Sequence, residues 1–169
     1  EEKENESELS TESKIHTNDN NVSVLMLQIQ ALQPSAISFP VRVWNGLYSI
    51  YVQRLGDAGV DPDSTQPQDL SIKNQILSDI RDLFGSRCNF VATGGSPTDP
   101  KVLAFIQQLL SKVNFVDSYG TTESGAITAN GKVISGKGVQ VKLRDLPKLG
   151  FTSNDKPFPR GEIMVKSPN

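Results

Sequence analysis

The chain is 169 residues long with a formal charge of −2, enough for one domain with a core, and it lacks the basic balance of a nucleic-acid or anionic-membrane binder. A single cysteine, Cys88, excludes an internal disulfide, and no Cys/His group has zinc-site spacing, so a metal-free fold in a reducing, cytoplasmic setting is the default. No export signal or transmembrane segment is evident, because the longest apolar stretch, around Val22 to Ile29, is too short to span a bilayer.

Glu1 to Asn21 is dominated by Glu, Ser, Asn and Thr with almost no apolar residue, so burial cannot offset its ordering entropy and disorder is expected. The sole histidine, His16, lies there without a rigid partner and reads as a solvated bystander. From Val22 to Asn169 the pattern is that of a compact domain. Val24, Leu25, Leu27, Ile29 and Leu32 fit either a helix or a strand, which ends at Pro34-Ser35 before a short strand over Ala36 to Phe39. Pro40 suits a first helical turn, and Val43, Trp44, Leu47, Tyr48, Tyr51 and Leu55 recur at helical spacing, predicting a helix with one buried face. Gly56 to Asp69 is rich in Asp, Gly, Pro and Gln and reads as a loop. Ile72, Ile76, Leu77, Ile80, Leu83 and Phe84 then mark a second amphipathic helix, with Ser71 placed to cap it and Gly85 to end it.

Cys88, Phe90 and Ala92 alternate with polar residues as in a strand that runs into a Thr93-Gly94-Gly95-Ser96-Pro97 turn. Asp99 is a good helix cap ahead of Pro100, and Val102, Leu103, Phe105, Ile106, Leu109 and Leu110 supply a buried stripe. Asn114 to Asp117 is the next strand. This order is a βαβ unit of an α/β fold, whose crossover brings the loops after both strands to one sheet edge, where ligands bind. Further on, Asn130-Gly131 is a type I′ hairpin signal between Ala126 to Ala129 and Lys132 to Ser135. Val139, Val141 and Leu143 alternate as a strand, and Gly161 to Lys166 is another. These later segments, Cys88 and Trp44 read as structural.

The second loop at that edge is Ser118-Tyr119-Gly120-Thr121-Thr122-Glu123-Ser124-Gly125. Its hydroxyls can bond phosphate oxygens, Gly120 allows close backbone approach, and Glu123 offers a hard carboxylate suited to magnesium. Tyr119 presents an aromatic face, and Asp117 can accept a hydrogen bond from an exocyclic amine. On residues alone two readings stand: a nucleotide pocket, or a polar loop in which Gly120 and Gly125 serve turn geometry.

Tyr119-Gly120-Thr121-Thr122-Glu123 resembles the Tyr-Gly-x-Thr-Glu motif of the adenylate-forming superfamily of acyl-CoA synthetases, peptide synthetase adenylation domains and luciferases. The Gly94-Gly95-Ser96-Pro97 turn is similar to one that lines the acyl and nucleotide pocket there. Gly150 to Lys166, Asp117 before the motif, the Asn130-Gly131 turn and Leu143 to Gly150 resemble the adenylation domain of carboxylic acid reductases in particular. The resemblance covers roughly residues 25 to 169. It implies that residues 22 to 169 are part of the large N-terminal domain of such an enzyme, a βαβ unit followed by a β-rich segment.

By the same resemblance, Gly94, Gly95 and Ser96 border the adenylate and acyl chain, Asp117 meets the adenine amino group and Tyr119 packs on adenine. Ser118, Gly120 and, more weakly, Thr121 belong to the ATP or AMP site, Thr122 contacts the α-phosphate and Glu123 holds Mg2+. The implied reaction is attack of a fatty or aromatic carboxylate on the α-phosphate, loss of pyrophosphate, and capture of the acyl adenylate by CoA or a phosphopantetheine thiol. The family's phosphate loop with its lysine, and its C-terminal domain with a catalytic lysine, have no counterpart here, and Phe39-Pro40-Val41-Arg42-Val43 departs from the usual Phe-Val-Pro-Arg-Val order. An internal fragment, inactive alone, is therefore expected; the alternative is a truncated paralogue that binds nucleotide or a partner without catalysis.

Overall fold

The computed structural model of the protein describes residues 20–134 and 138–166. His16, nearly all of the stretch expected to be disordered, and Ser135 at the end of the expected hairpin lie outside the described residues. The described residues form two compact units, 20–91 with 97–115, and 92–96 with 116–134 and 138–166.

In the first unit the ambiguous opening segment is a helix, α1 (Asn20–Leu32), because Val22, Met26 and Ile29, spaced by four and three, are the residues it buries. Strand β1 (Ala36–Pro40) follows with Ile37 and Phe39 inward. Pro40 stands just ahead of α2 (Val41–Asp57) rather than in its first turn, with φ −67° and ψ 153°. Its fixed φ suits an extended residue as well as a helical one. The predicted stripe of α2 is buried except for the half-buried Tyr48, and Trp44, fully enclosed, stacks on Phe84 with ring centroids 6.0 Å apart.

Helix α3 (Pro67–Asp82) starts earlier than its apolar stripe predicts, so Ser71 lies inside it and caps nothing. Proline at the first helical position and Asp69 in the first turn define that start instead. The preceding loop is pinned by Lys73, whose buried ammonium donates to the carbonyls of Pro62 (2.7 Å) and Ser64 (2.5 Å). Gly85, at φ +79°, ends the segment as expected. Helix α4 (Pro100–Leu109) has the expected cap, the Asp99 carboxylate accepting from Lys101 N–H at 2.8 Å.

Strand β2 (Phe90–Gly94) begins later than Cys88 and buries the opposite face from the one the alternation suggests. Val91 and Thr93 are enclosed, whereas Phe90 is 40% exposed. Strand β3 (Asn114–Thr121) is its neighbour in a five-stranded sheet of order β1-β2-β3-β4-β5, where β4 is Gly125–Ala129 and β5 is Lys132–Val133. Asn114 N–H donates to Asn89 C=O at 3.1 Å, and four residues along both strands Ser118 Oγ donates to Thr93 C=O at 2.8 Å. The two strands are thus parallel, joined through α4, as the βαβ reading requires. The fold is mixed α/β.

In the second unit, β3 continues through Ser118 to Thr121 and pairs antiparallel with β4, and β4 pairs with β5. The stretch expected to be one loop, Ser118 to Gly125, is therefore mostly strand, with a turn only at its tip. Asn130 (φ 50°) and Gly131 (φ 74°) both adopt the left-handed conformation that a type I′ turn demands. Strands β6 (Gln140–Arg144) and β7 (Glu162–Lys166) form a separate antiparallel ribbon. Among the described residues no helix is long and apolar enough to cross a membrane.

Candidate functional site

All ten residues singled out from the sequence fall in the second unit, on the end of β2 with its turn and on β3 with the hairpin tip. Gly94 lies so close to β3 that a Cβ there would stand 2.6 Å from the Ser118 carbonyl oxygen, which only glycine avoids. Gly95 follows at φ +88° and turns the chain, leaving Gly95 and Ser96 exposed. Ser118 is half-buried and its hydroxyl is occupied by Thr93 C=O, so it ties the two candidate segments together.

Beyond Ser118 the hairpin carries a bulge. Tyr119 pairs with Thr128 but Gly120 pairs with Ala126, leaving Ile127 unpaired on β4 and fully buried. Gly120 sits against the Gly125 carbonyl, where any side chain would collide with backbone. Tyr119 is 44% exposed, so its ring is available as a stacking surface. Thr121 Oγ1 accepts from Ser124 N–H at 3.1 Å and shapes the tip, which leaves Thr122 and Glu123 as the exposed tip residues. Their side chains make no hydrogen bond or ion pair among the described residues.

Asp117 is half-buried, and burial raises its carboxyl above the usual aspartate range. Its peptide N–H donates to Asn130 Oδ1 at 2.9 Å, and its carbonyl accepts from Asn130 N–H at 2.7 Å. Sequence reading assigned Asn130 to turn geometry alone. No local signal points further, because Asn-Gly is the ordinary pair for a type I′ turn.

Chemically, this edge presents two exposed turns, a free hydroxyl, a free carboxylate, an aromatic face and one desolvated carboxyl. No group of three or more His, Cys, Asp or Glu side chains that could hold a metal exists among the described residues. Glu123 therefore fits magnesium only as one ligand among phosphate oxygens and water, which is the ion's usual mode. Concavities of about 390 and 430 Å3 lie along β6 and β7, away from the motif, and are open faces of the ribbon.

The chain is 33% identical over 135 residues to a carboxylic acid reductase of Segniliparus rugosus, matching 80% of this chain and 11% of that protein. It is 27% identical over 168 residues to the peroxisomal long chain acyl-CoA synthetase 6 of Arabidopsis thaliana, matching 85% of this chain and 24% of the synthetase. Its fold superposes with a TM-score of 0.72 and 31% identity on the A domain of the Segniliparus rugosus reductase, covering 91% of this chain and 23% of that one. This chain belongs to the adenylate-forming superfamily.

Within the adenylate-forming superfamily its likeness is to the adenylation domain of carboxylic acid reductases and to long chain acyl-CoA synthetases. The solved reductase domain was captured with AMP and a co-purified carboxylic acid. No family model matches the chain. The chain spans 12% of a Mycobacterium tuberculosis carboxylic acid reductase.

Proposed function

We propose that this chain forms the purine and α-phosphate side of a site that activates a carboxylic acid as its acyl adenylate. The observation that carries this reading is the convergence, within one unit, of the Gly94–Ser96 turn and the Tyr119–Glu123 hairpin on adjacent parallel strands tied by Ser118. The two turns border the adenylate, Tyr119 stacks on the base, and the Asp117 carboxyl accepts from the exocyclic amine. Thr122 donates to the α-phosphate, and Glu123 contributes one magnesium ligand. Magnesium would neutralise charge on the phosphates. The acid, fatty or aromatic, supplies the attacking oxygen; pyrophosphate leaves, and a CoA or phosphopantetheine thiol then takes the acyl group, releasing AMP and the thiol proton.

A second reading, that the chain binds nucleotide without turning it over, has its own support. Phosphoryl transfer needs cations and donors on several sides, and no Lys or Arg side chain bonds to the hairpin tip among the described residues. Both readings are tested together by titrating AMP and ATP, with and without Mg2+, into amide-labelled protein, alongside pyrophosphate exchange with fatty and aromatic acids. Residues 94–96 and 117–123 should shift with millimolar affinity, Glu123→Gln should abolish only the Mg2+-dependent increment for ATP, and exchange should be absent. Binding without shifts at those residues, or none at all, would overturn the nucleotide site. Sustained exchange by residues 1–169 would overturn the non-catalytic reading.

A further inference from the structure

We propose that Asn130 is a positioning residue for purine recognition, clamping the Asp117 main chain from the neighbouring hairpin so that the Asp117 carboxyl is held ready for an exocyclic amine. The inference rests on the nucleotide reading above. In the β3–β4 ladder the pair beyond Ser118 and Ala129 is Asp117 and Asn130. The left-handed φ of 50° at Asn130 belongs to the turn, and the acceptor for Asp117 N–H is its side-chain Oδ1 rather than its backbone carbonyl. Its own N–H still reaches Asp117 C=O, so both polar groups of the Asp117 backbone are satisfied by one residue thirteen positions away. Turn chemistry alone does not require this. Glycine adopts the same conformation without strain, and asparagine amides in turns more often bond locally.

What the clamp serves is a carboxyl that is half-buried and makes no hydrogen bond or ion pair among the described residues. A desolvated acceptor held on a fixed backbone loses little order on binding a donor, which is the condition for discriminating an amine from a carbonyl at the same ring position. Adenine carries an amine there and hypoxanthine a carbonyl.

The test is titration of AMP and IMP into the full chain as wild type, Asn130→Gly and Asn130→Asp, followed by amide NMR. Wild type should prefer AMP. Asn130→Gly keeps the turn but removes the acceptor, and should weaken AMP by about fivefold, the range of one lost hydrogen bond, while leaving IMP unchanged. Asn130→Asp restores an acceptor at the same reach and should restore the preference. A merely structural residue would weaken AMP and IMP alike, which would overturn the inference while leaving the nucleotide site intact. Failure of wild type to bind either nucleotide would instead overturn the site itself, and the inference with it.

Discussion

Asp117 shows how a residue's environment sets its chemistry. Its carboxyl titrates above the ordinary aspartate value because burial penalises the charged form and no protein donor compensates. The native state therefore holds its proton more tightly than the unfolded chain does. Stability is highest below the unfolded value and falls as pH rises through the raised one, reaching its full deficit at neutral pH. Asp117→Asn should accordingly raise the thermal midpoint at neutral pH, with the gain vanishing as pH drops below the ordinary aspartate value. A gain of equal size at both ends of a pH series would mean that the uncharged amide packs better, not that burial strains the charge.

At the scale of elements, α4 is the crossover that sets β2 and β3 parallel, and its start is defined by a single carboxylate. Asp99 accepts from Lys101 N–H, and Pro100 follows with no N–H to satisfy. Asp99→Ala should cost about 1 kcal/mol, read as a lower urea midpoint with unchanged slope. A loss confined to noise would assign the helix start to proline alone. The β6–β7 ribbon depends on different contacts. Thr152 hydroxyl and N–H, together with Arg160, bond Asp155 in the connection between its strands, and Arg160 lies over the Phe151 ring at 5.0 Å.

At the scale of the whole molecule, apolar burial is uneven. The large aromatic and aliphatic core, from Val22 to Leu110 in sequence, belongs to the first unit. In the second unit Leu149 is 66% and Phe158 75% exposed, and Ile163 and Met164 on β7 are also in solvent. Exposed apolar side chains on a two-stranded ribbon with open edges favour association. The chain should therefore show concentration-dependent self-association in sedimentation velocity, reduced by Phe158→Lys together with Ile163→Lys. Identical sedimentation of the variant and wild type would place the contact elsewhere.

Several features were decided locally and were legible in the sequence. Asp99-Pro100 defines a helix start, Asn130-Gly131 can adopt only a narrow set of turns, and the apolar stripes of α2, α3 and α4 repeat at helical spacing. The glycine turn and the Tyr119–Glu123 motif were legible as a family resemblance for a related reason, since such a resemblance depends on residue type at fixed spacing. Other features depended on partners distant in the chain. The Ser118–Thr121 segment, interrupted by Gly120 and without apolar alternation, does not read as a strand locally and is drawn into one by β4, with a bulge that buries Ile127. The inward face of β2 was likewise set by packing, which encloses Val91 and Thr93 and exposes Phe90. The grip of Asn130 on Asp117 spans thirteen residues, and no local pattern encodes it, because it exists only once β3 and β4 have paired in register.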